Sequence, residues 1–312
     1  MDISRPASNL RVEGSRYPGA FAQLKAFSDL GLFDPEPVQV GQAQVRPRDV
    51  FRALHAPGRL LLLANAWDAG SARLIEACGA PAIATTSAGV AWARGHADGH
   101  GLPTEKLLET VAEIARVVSV PLSVDAEGGY SDDPAQVGEL ARQLAEAGAV
   151  GVNLEDGGAP PELLCEKIAA AKRGAARAGV DLFVNARTDV VLRGLVPPER
   201  AVDEIARRAA LYRAAGCDGI FAAKLVASDA VRAVAAAIAP LPLNLLVMPG
   251  LPPADELRAL GVRRLSAGST LAADALGRLR SLATSFLADG RSDPLFGAAV
   301  EYGTMNGLFA GR

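Results

Sequence analysis

The chain carries paired acidic side chains of the kind that bind metal ions. Asp125 and Glu127 come at the end of one short apolar run, and Glu155 and Asp156 come at the end of the next. Unpaired carboxylates gathered in this way repel one another strongly at low dielectric, and a hard divalent cation removes the repulsion. Oxygen-only ligands favour Mg²⁺, with Mn²⁺ also accepted. The competing interpretation is an ion-pair network with Arg187.

Four further polar residues have types and positions that suit catalysis. Arg187 ends a third apolar run, where a guanidinium can grip a carboxylate or phosphonate through two hydrogen bonds, or else form a salt bridge to a nearby acid. Lys224 ends a later run and could form a Schiff base if desolvated, or remain a charged rim lysine. Asn244 lies in the run after that. Asp98 lies in a glycine-rich loop, where it is either part of the site or simply solvated.

These residues need a scaffold that brings the ends of several strands together. Short runs that are apolar throughout are typical of strands buried on both faces of a parallel sheet. Eight such runs occur, at 60–64, 82–86, 122–125, 150–155, 182–187, 219–224, 243–247 and 264–267. Helical patterns separate them, and several of these end in a glycine that can close a helix in the left-handed conformation. The glycines are Gly79, Gly148, Gly179, Gly216 and Gly261.

This repetition predicts the α/β class and a (β/α)8 TIM-type barrel, with a doubly wound open sheet as the alternative. The barrel, as the catalytic domain, is expected over 46–290. An N-terminal extension over 1–45 and extra C-terminal helices over 291–312 complete the chain. In such barrels the chemistry lies at the carboxyl ends of the strands, which is where the polar residues above fall.

Composition excludes several classes of protein. The 312 residues include 32 Lys and Arg against 35 Asp and Glu, a net charge of -3, which argues against a nucleic-acid binder. The longest apolar run, 233–248, is too short to span a membrane and contains two prolines. Three widely separated cysteines form no disulfide framework. We therefore expect a cytoplasmic protein that binds neither nucleic acid nor membrane.

Four segments together resemble the isocitrate lyase/phosphoenolpyruvate mutase superfamily, over about residues 50–290. The segment 124–130 is similar to the family's Asp-Ala-Asp-x-Gly-Tyr metal motif, although Glu127 replaces the second Asp. The segments 153–156 and 185–189 are similar to its Glu-Asp and Ala-Arg-Thr-Asp motifs. The segment 65–73 is similar to smaller, less characterised members.

The resemblance implies a (β/α)8 barrel whose last helix is exchanged within a homodimer or homotetramer. It implies Mg²⁺ held by Asp125, with Asp98, Glu127 and Glu155 as ligands directly or through water. The implied contacts to the substrate carboxylate are Ser87, Ala88, Gly89 and Arg187. The shared chemistry passes through the enolate of an α-oxyacid, which the metal and positive charge stabilise.

The loop after the fourth strand departs from the family. Isocitrate lyases carry Lys-Lys-Cys-Gly-His there, but residues 157–165 contain no such motif, and Cys165 is predicted to lie on a helix. The loop also lacks the Lys and Asn expected of a phosphonopyruvate mutase. The substrate therefore cannot be inferred from either branch.

We predict a Mg²⁺-dependent lyase or hydrolase that cleaves a C–C bond beside an α-oxo or α-hydroxy carboxylate of a small molecule through an enolate. Arg187, Glu155 and Asp98 are the candidate catalytic residues, and Asn244 joins the implied substrate contacts. The alternatives are a phosphonopyruvate or phosphoenolpyruvate P–C bond mutase or hydrolase, a class I aldolase using Lys224, and a non-catalytic carboxylate-binding protein.

Overall fold

A computed structural model describes residues 46–311 of the chain. The N-terminal extension predicted for residues 1–45 lies outside these described residues. No helix in the described part is long and apolar enough to cross a membrane.

The described strands form one parallel sheet that closes into a barrel. In chain order they are β1 (Leu61–Leu63), β2 (Asn65–Ala66), β3 (Ile83–Thr85), β4 (Leu122–Asp125), β5 (Gly151–Glu155), β6 (Phe183–Thr188), β7 (Gly219–Ala222), β8 (Leu243–Leu246) and β9 (Val262–Ser266). β1 pairs with β9 and β2 pairs with β3, so these two short strands act as one interrupted strand that closes the ring. The predicted TIM-type barrel is confirmed, and the open-sheet alternative is wrong.

Helices surround the sheet, as the alternating pattern predicts. They are α1 (Pro47–Ala53), α2 (Ala69–Ala77), α3 (Ser87–Ala93), α4 (Thr104–Val117), α5 (Pro134–Glu146), α6 (Pro161–Arg177), α7 (Ala201–Ala214), α8 (Ser228–Ala237), α9 (Ala254–Ala259), α10 (Thr270–Asp289) and α11 (Tyr302–Phe309). Cys165 lies within α6, as expected. After α10, α11 returns to the barrel, where Arg73 Nε donates to the Leu308 carbonyl at 2.9 Å.

The barrel has two separate apolar regions. The larger one lies between the strands and the helices, where residues such as Val124, Val152 and Ile220 are buried. The smaller one fills the amino-terminal floor, where Phe51 of α1 packs edge-on against Phe183 with ring centroids 5.4 Å apart. This floor closes the end of the barrel opposite the predicted site.

Glycines make the close packing of this barrel possible at particular points. Gly148 has a φ of +112°, and a Cβ there would lie 2.8 Å from the Ala115 Cβ. Gly151 admits the Phe51 ring, whose Cε1 would lie 2.8 Å from an added Cβ. Gly148 thus serves the helix-ending role predicted for it, because a side chain would be both strained and crowded.

Candidate active site

Strand pairing brings the predicted acids and arginine to one mouth of the barrel. Asp125 is the register partner of Asn153, and Glu155 is the register partner of Arg187. Glu127 follows β4 and lies at the same edge of the sheet, because its backbone carbonyl accepts a hydrogen bond of 2.9 Å from the Glu155 amide. The carboxyl ends of β4, β5 and β6 therefore present these side chains together.

Arg187 lies between two carboxylates. Its Nη1 is 2.6 Å from Glu155 Oε2, and its Nε is 2.7 Å from Asp189 Oδ1. Nη2 also donates to Asp189 Oδ2 at 3.2 Å, so Asp189 receives the paired hydrogen bonds of the guanidinium. Asp189 is fully buried. Arg187 therefore forms the salt bridges that the sequence predicts as one of its two roles. Asp189 fixes the plane of the guanidinium.

Glu155 has unusual electrostatics for a carboxylate beside an arginine. Burial raises the pKa of Glu155 to about 7, and although Arg187 opposes this shift, the charges of Asp125, Asp189 and Glu127 add to it. A carboxyl group that titrates near neutral pH can both hold and release a proton under physiological conditions. Perturbed acids of this kind occur preferentially at functional sites.

Asp125 is bound to the start of α3. Its Oδ2 accepts a hydrogen bond from the Ser87 amide at 3.1 Å, and its own amide donates to Thr85 Oγ1 at 2.9 Å. Ala88 and Gly89 are buried behind Ser87. A Cβ at Gly89 would lie 2.7 Å from Thr86 Cγ2 and 2.9 Å from Trp67 Cβ, so Gly89 is required for packing. Of this trio, Ser87 is the residue in direct contact with the acidic site.

Glu127 turns towards the loop that carries Asp98. Its Oε1 accepts from the Tyr130 hydroxyl at 2.9 Å, and its Oε2 accepts from the His100 amide. Burial raises the pKa of Glu127, and the nearby charge of Asp98 adds to this effect. Asp98 itself is exposed. The loop therefore lies against the site, although Asp98 is on its solvent side.

Asp156 does not belong to the acidic cluster, contrary to the prediction. Its side chain is buried and accepts hydrogen bonds from Arg208 Nη1 and from the Tyr212 hydroxyl, each at 2.8 Å. The Asp189 amide also donates to Asp156 Oδ1 at 3.0 Å. Consecutive residues at the end of a strand point to opposite faces, so Glu155 faces the mouth and Asp156 anchors α7.

Asn244 and Lys224 differ in their burial. Asn244 is buried in the interior, with Oδ1 accepting from Ser266 Oγ at 3.1 Å. Lys224 follows β7 in a left-handed conformation with a φ of +65°, and its side chain is exposed. Schiff-base chemistry requires a desolvated lysine, so the exposure of Lys224 does not favour the aldolase alternative.

The acids have the right chemistry for a divalent ion but are not preassembled around one. Among residues 46–311, no group of three or more His, Cys, Asp or Glu side chains is arranged to hold a metal. Arg187 engages Glu155, and Glu127 faces Tyr130. The donors are nevertheless all oxygen atoms, and the pKa of Glu155 is raised first by burial and further by the charges of Asp125, Asp189 and Glu127. The chemical type of these ligands, oxygen atoms of carboxylates, thus fits a hard cation.

A cavity of about 350 Å³ opens beside the acids, between the loops after β4 and β5 and the start of α6. Glu127 and Glu155 line it together with His100, Lys167 and Arg193. Lys167 is buried, and its Nζ donates to the Gly128 carbonyl at 2.9 Å and to Asp132 Oδ1 at 3.0 Å. Cys165 is not among the lining residues. The cavity has the size of a site for a small metabolite.

Comparison with known proteins identifies the family. The model of the phosphoenolpyruvate phosphomutase family matches residues 51–287. The chain belongs to this family. An uncharacterized protein of Mycobacterium tuberculosis is 38% identical, over 70% of this chain and 81% of its own length. The 2-methylisocitrate lyase of Aeropyrum pernix is 31% identical, over 64% of this chain and 66% of its own length.

A solved structure in the same superfamily links the barrel to a metal and a small anion. The structure of a phosphonopyruvate hydrolase in complex with oxalate and Mg²⁺ is 26% identical, with a TM-score of 0.74, and covers 85% of this chain and 95% of its own. Members of the phosphoenolpyruvate phosphomutase family and its superfamily are thus carbon–carbon lyases, mutases and a hydrolase. Family membership supports an enzyme.

Sequence reasoning missed three groups that the fold brings to this region. The first is His100, whose Nε2 accepts a hydrogen bond of 3.0 Å from the Gly128 amide. No signal in the sequence pointed to His100, because it has no zinc-binding spacing to other ligands. Lys167 lies in the middle of a helix, where no strand-end rule applies. Arg264 lies inside β9 and is fully buried. A charged residue within a run interpreted as a buried strand was the signal available for Arg264.

Proposed function

We propose that this member of the phosphoenolpyruvate phosphomutase family is a Mg²⁺-dependent lyase or hydrolase that cleaves a C–C bond beside an α-oxo or α-hydroxy carboxylate. The observation that carries the proposal is the joint presence of Asp125, Glu155 and Arg187 at the carboxyl ends of three adjacent strands. The similarity to a 2-methylisocitrate lyase supports the choice of a carbon–carbon bond. Mn²⁺ is expected to substitute for Mg²⁺.

The ion would be held by Asp125, with Glu155, Glu127 and Asp98 as ligands directly or through water. When bound, it supplies positive charge that stabilises an enolate oxygen. The remaining chemistry belongs to the side chains of this chain, in an environment where preorganised charge is worth more than in water.

Arg187 is the proposed anchor for the substrate carboxylate. Asp189 holds Nε and Nη2, which leaves Nη1 as the position where a ligand carboxylate competes with Glu155. Substrate binding would therefore release Glu155 from its ion pair. A Glu155 released from this ion pair, and contacting the ion through water, can then hold a proton at Oε1 or accept one. Ser87 at the start of α3 would fix Asp125 during this exchange.

Cys165 is not proposed for the role that cysteine plays in isocitrate lyases. It lies inside α6 and does not line the cavity, and burial raises the pKa of its thiol. A thiol that resists ionisation is a poor acid or nucleophile. The proton that closes the reaction is assigned to Glu155 instead.

The experiment is a substrate screen with purified protein. Oxaloacetate, substituted malates, methylisocitrate and phosphonopyruvate would each be offered with Mg²⁺ and with EDTA, and products would be measured by mass spectrometry. We expect cleavage of at least one C–C substrate only with Mg²⁺, and its loss in Asp125→Ala. Asp229→Ala, which changes an exposed aspartate of α8, is the matched control. Metal-independent turnover in the EDTA arm contradicts the proposal.

Chemistry at a P–C bond is the second candidate. It is favoured by the family model and by the similarity to a phosphonopyruvate hydrolase. The same screen separates the two, because phosphonopyruvate hydrolysis releases inorganic phosphate and C–C cleavage does not.

The protein is proposed to act as a homo-oligomer through its C-terminal helices. α10 is 20 residues long, yet Ala272 is its one residue buried within the described chain. Leu279, Phe286 and Leu287 on this helix are exposed. Large exposed apolar surfaces of this kind mark sites of protein association.

A further inference from the structure

Arg264 is a fully buried arginine that is hydrogen-bonded to no carboxylate within residues 46–311. It lies in β9, inside the barrel, with 1% of its surface exposed. Its Nη2 donates to Asn153 Oδ1 at 3.2 Å and its Nε to Ser266 Oγ at 3.4 Å, and both acceptors are neutral. Its Nη1 is a buried donor for which residues 46–311 offer no acceptor. Burying an arginine in this way is costly, so an interaction that compensates its charge is expected.

The position of Arg264 places its charge beneath the mouth. One row of register partners runs across the sheet from Glu155 through Arg187, Phe221 and Asn244 to Arg264. The acceptor Asn153 is in turn the register partner of Asp125. Arg264 is therefore hydrogen-bonded to the strand that carries Glu155, and Asn153, which accepts that bond, lies beside Asp125 in the register.

A second unpartnered donor accompanies Arg264. Nδ2 of its neighbour Asn244 also has no acceptor among the described residues, while Asn244 Oδ1 is engaged by Ser266. Asn153 Oδ1 accepts from both Arg264 and Asn185, so it has no capacity to take another donor readily. Two neighbouring buried donors, on Arg264 and Asn244, are thus without an acceptor among the described residues, and both can favour negative charge nearby.

Arg264 keeps its charge in this environment. Burial lowers the pKa of Arg264 to about 10, and the Asp125 carboxylate opposes that shift. The guanidinium is therefore protonated at neutral pH, and Asp125 is the anionic group that acts on it.

We propose that Arg264 is a positioning residue whose buried charge makes the barrel mouth accept an anionic ligand. This inference rests on the proposed function, since it assigns a second cation to the carboxylate site that Arg187 opens. Arg264 stabilises a small carboxylate bound at the mouth through space and through Asn153. It opposes the binding of a bare divalent cation there, because like charges repel.

This role predicts that the loss of the charge weakens the binding of oxalate and does not weaken the binding of Mn²⁺. Arg264→Met removes the charge and keeps an unbranched apolar side chain. Oxalate affinity in saturating Mg²⁺ should fall at least tenfold, whereas the affinity for Mn²⁺ alone should stay the same or tighten. Arg264→Lys retains the charge and should stay within threefold of wild type for oxalate. The melting temperature of Arg264→Met should be equal to or above that of wild type, because replacing a buried charge with a hydrophobic side chain is often stabilising.

Arg263→Met is the matched control. Arg263 precedes Arg264, and its Nη1 donates to the Arg258 and Val262 carbonyls, on the outer side of β9. Arg263→Met removes one positive charge from the same strand, but this charge lies outside the barrel, so the affinity for oxalate should be unchanged. Calorimetry measures the binding of oxalate, and electron paramagnetic resonance measures the binding of Mn²⁺. If Arg264→Met folds poorly, Arg264→Gln provides a second neutral variant for the same titrations.

The outcomes separate the two proposals. Equal oxalate affinity in wild type and in Arg264→Met overturns the role of Arg264 and leaves the proposed function standing. A parallel loss of oxalate and Mn²⁺ binding means that Arg264 is part of the scaffold, which also overturns the inference. If wild-type protein binds no oxalate in Mg²⁺, the carboxylate site itself is wrong and both proposals fall. A loss of oxalate affinity without a loss of Mn²⁺ affinity supports the inference.

Discussion

Arg187 is held by Glu155 on one side and by Asp189 on the other, and the two carboxylates have different roles. Asp189 is fully buried and receives two hydrogen bonds from the guanidinium, so it sets the orientation. Glu155 receives one contact and shares the mouth with Asp125. A ligand carboxylate can replace Glu155 without disturbing Asp189. The geometry therefore favours an arginine that is oriented before the substrate arrives.

Arg187→Lys should be nearly as damaging as Arg187→Ala. A lysine keeps the charge but cannot reproduce the planar set of donors that contacts both Asp189 and a ligand. Losing such a charge-assisted contact costs about 1.5–3 kcal/mol. We expect kcat/KM on the substrate found in the screen to fall at least tenfold in both variants.

Cys165→Ser provides the comparison for the Arg187 variants. Because Cys165 lies in α6 away from the cavity, kcat/KM should stay within about threefold of wild type, or about 0.65 kcal/mol. A folded, Mg²⁺-binding Cys165→Ser protein without activity would restore the isocitrate lyase mechanism in place of the one proposed here.

Glu155→Gln should make the protein less sensitive to alkaline pH in EDTA. The folded-state pKa of Glu155 is about 7 against an ordinary value of 4.5, so the folded state binds its proton more tightly. The resulting stabilisation is present below about pH 4.5 and is lost as pH rises towards 7, at about 1.4 kcal/mol per pKa unit as an upper bound. The difference in unfolding free energy between Glu155→Gln and wild type should therefore grow in favour of the variant from pH 5 to pH 8.

Urea unfolding at several pH values measures this difference. Glu166→Gln, which changes an exposed glutamate of α6, is the control and should show a constant difference. A constant difference for Glu155→Gln as well would mean that Arg187 fully compensates its charge.

At the scale of elements, the run of apolar segments was enough to predict all eight barrel strands, because a strand buried on both faces leaves a clear mark in the sequence. Strand ends also located Asp125, Glu155 and Arg187. The break between β1 and β2 was not predictable, since residues 60–64 read as one continuous run. Nor was the direction of Asp156, because the face that a side chain takes after a strand end depends on partners such as Arg208, far away in sequence.

The contact between α5 and α6 is another feature that only the fold reveals. Gly138 and Gly174 meet where these helices cross, and a Cβ on Gly174 would lie 1.8 Å from the Gly138 carbonyl oxygen. α6 also carries Lys167, which holds the Gly128 carbonyl after β4. The close approach of the two helices therefore supports the wall of the cavity.

Gly174→Ala should destabilise the protein strongly, although alanine is the better helix former. The helices must separate to admit the methyl group, and overpacking of this kind costs about 1–3 kcal/mol or more. Gly277→Ala in α10 is the matched control, because nothing lies within 4 Å of an added Cβ there, and it should stabilise by up to about 1 kcal/mol. Thermal unfolding of both variants tests this pair, and equal melting temperatures would mean that the α5–α6 crossing is loosely packed.

At the scale of the whole molecule, the two ends of α10 have different environments. Its first turn packs against α3, since a Cβ on Gly89 would come within 3.2 Å of the Ala272 Cβ. The rest of the helix is largely uncovered, and Leu287 is 83% exposed. Phe296 and Tyr302, which follow α10, are 75% and 82% exposed. These exposed apolar side chains on and after α10 support the proposed association with a second copy of the chain.

The purified protein should therefore have a solution mass at least twice the chain mass of 32.2 kDa. Introducing like charges into an apolar interface opposes association, so the double substitution Leu279→Glu and Leu287→Glu should shift the protein towards monomer while its circular dichroism is retained. Leu192→Glu changes an exposed leucine outside these helices and should leave the mass unchanged. Light scattering coupled to size-exclusion chromatography measures all three proteins. A wild-type protein that elutes with the mass of one chain would show that α10 does not mediate self-association.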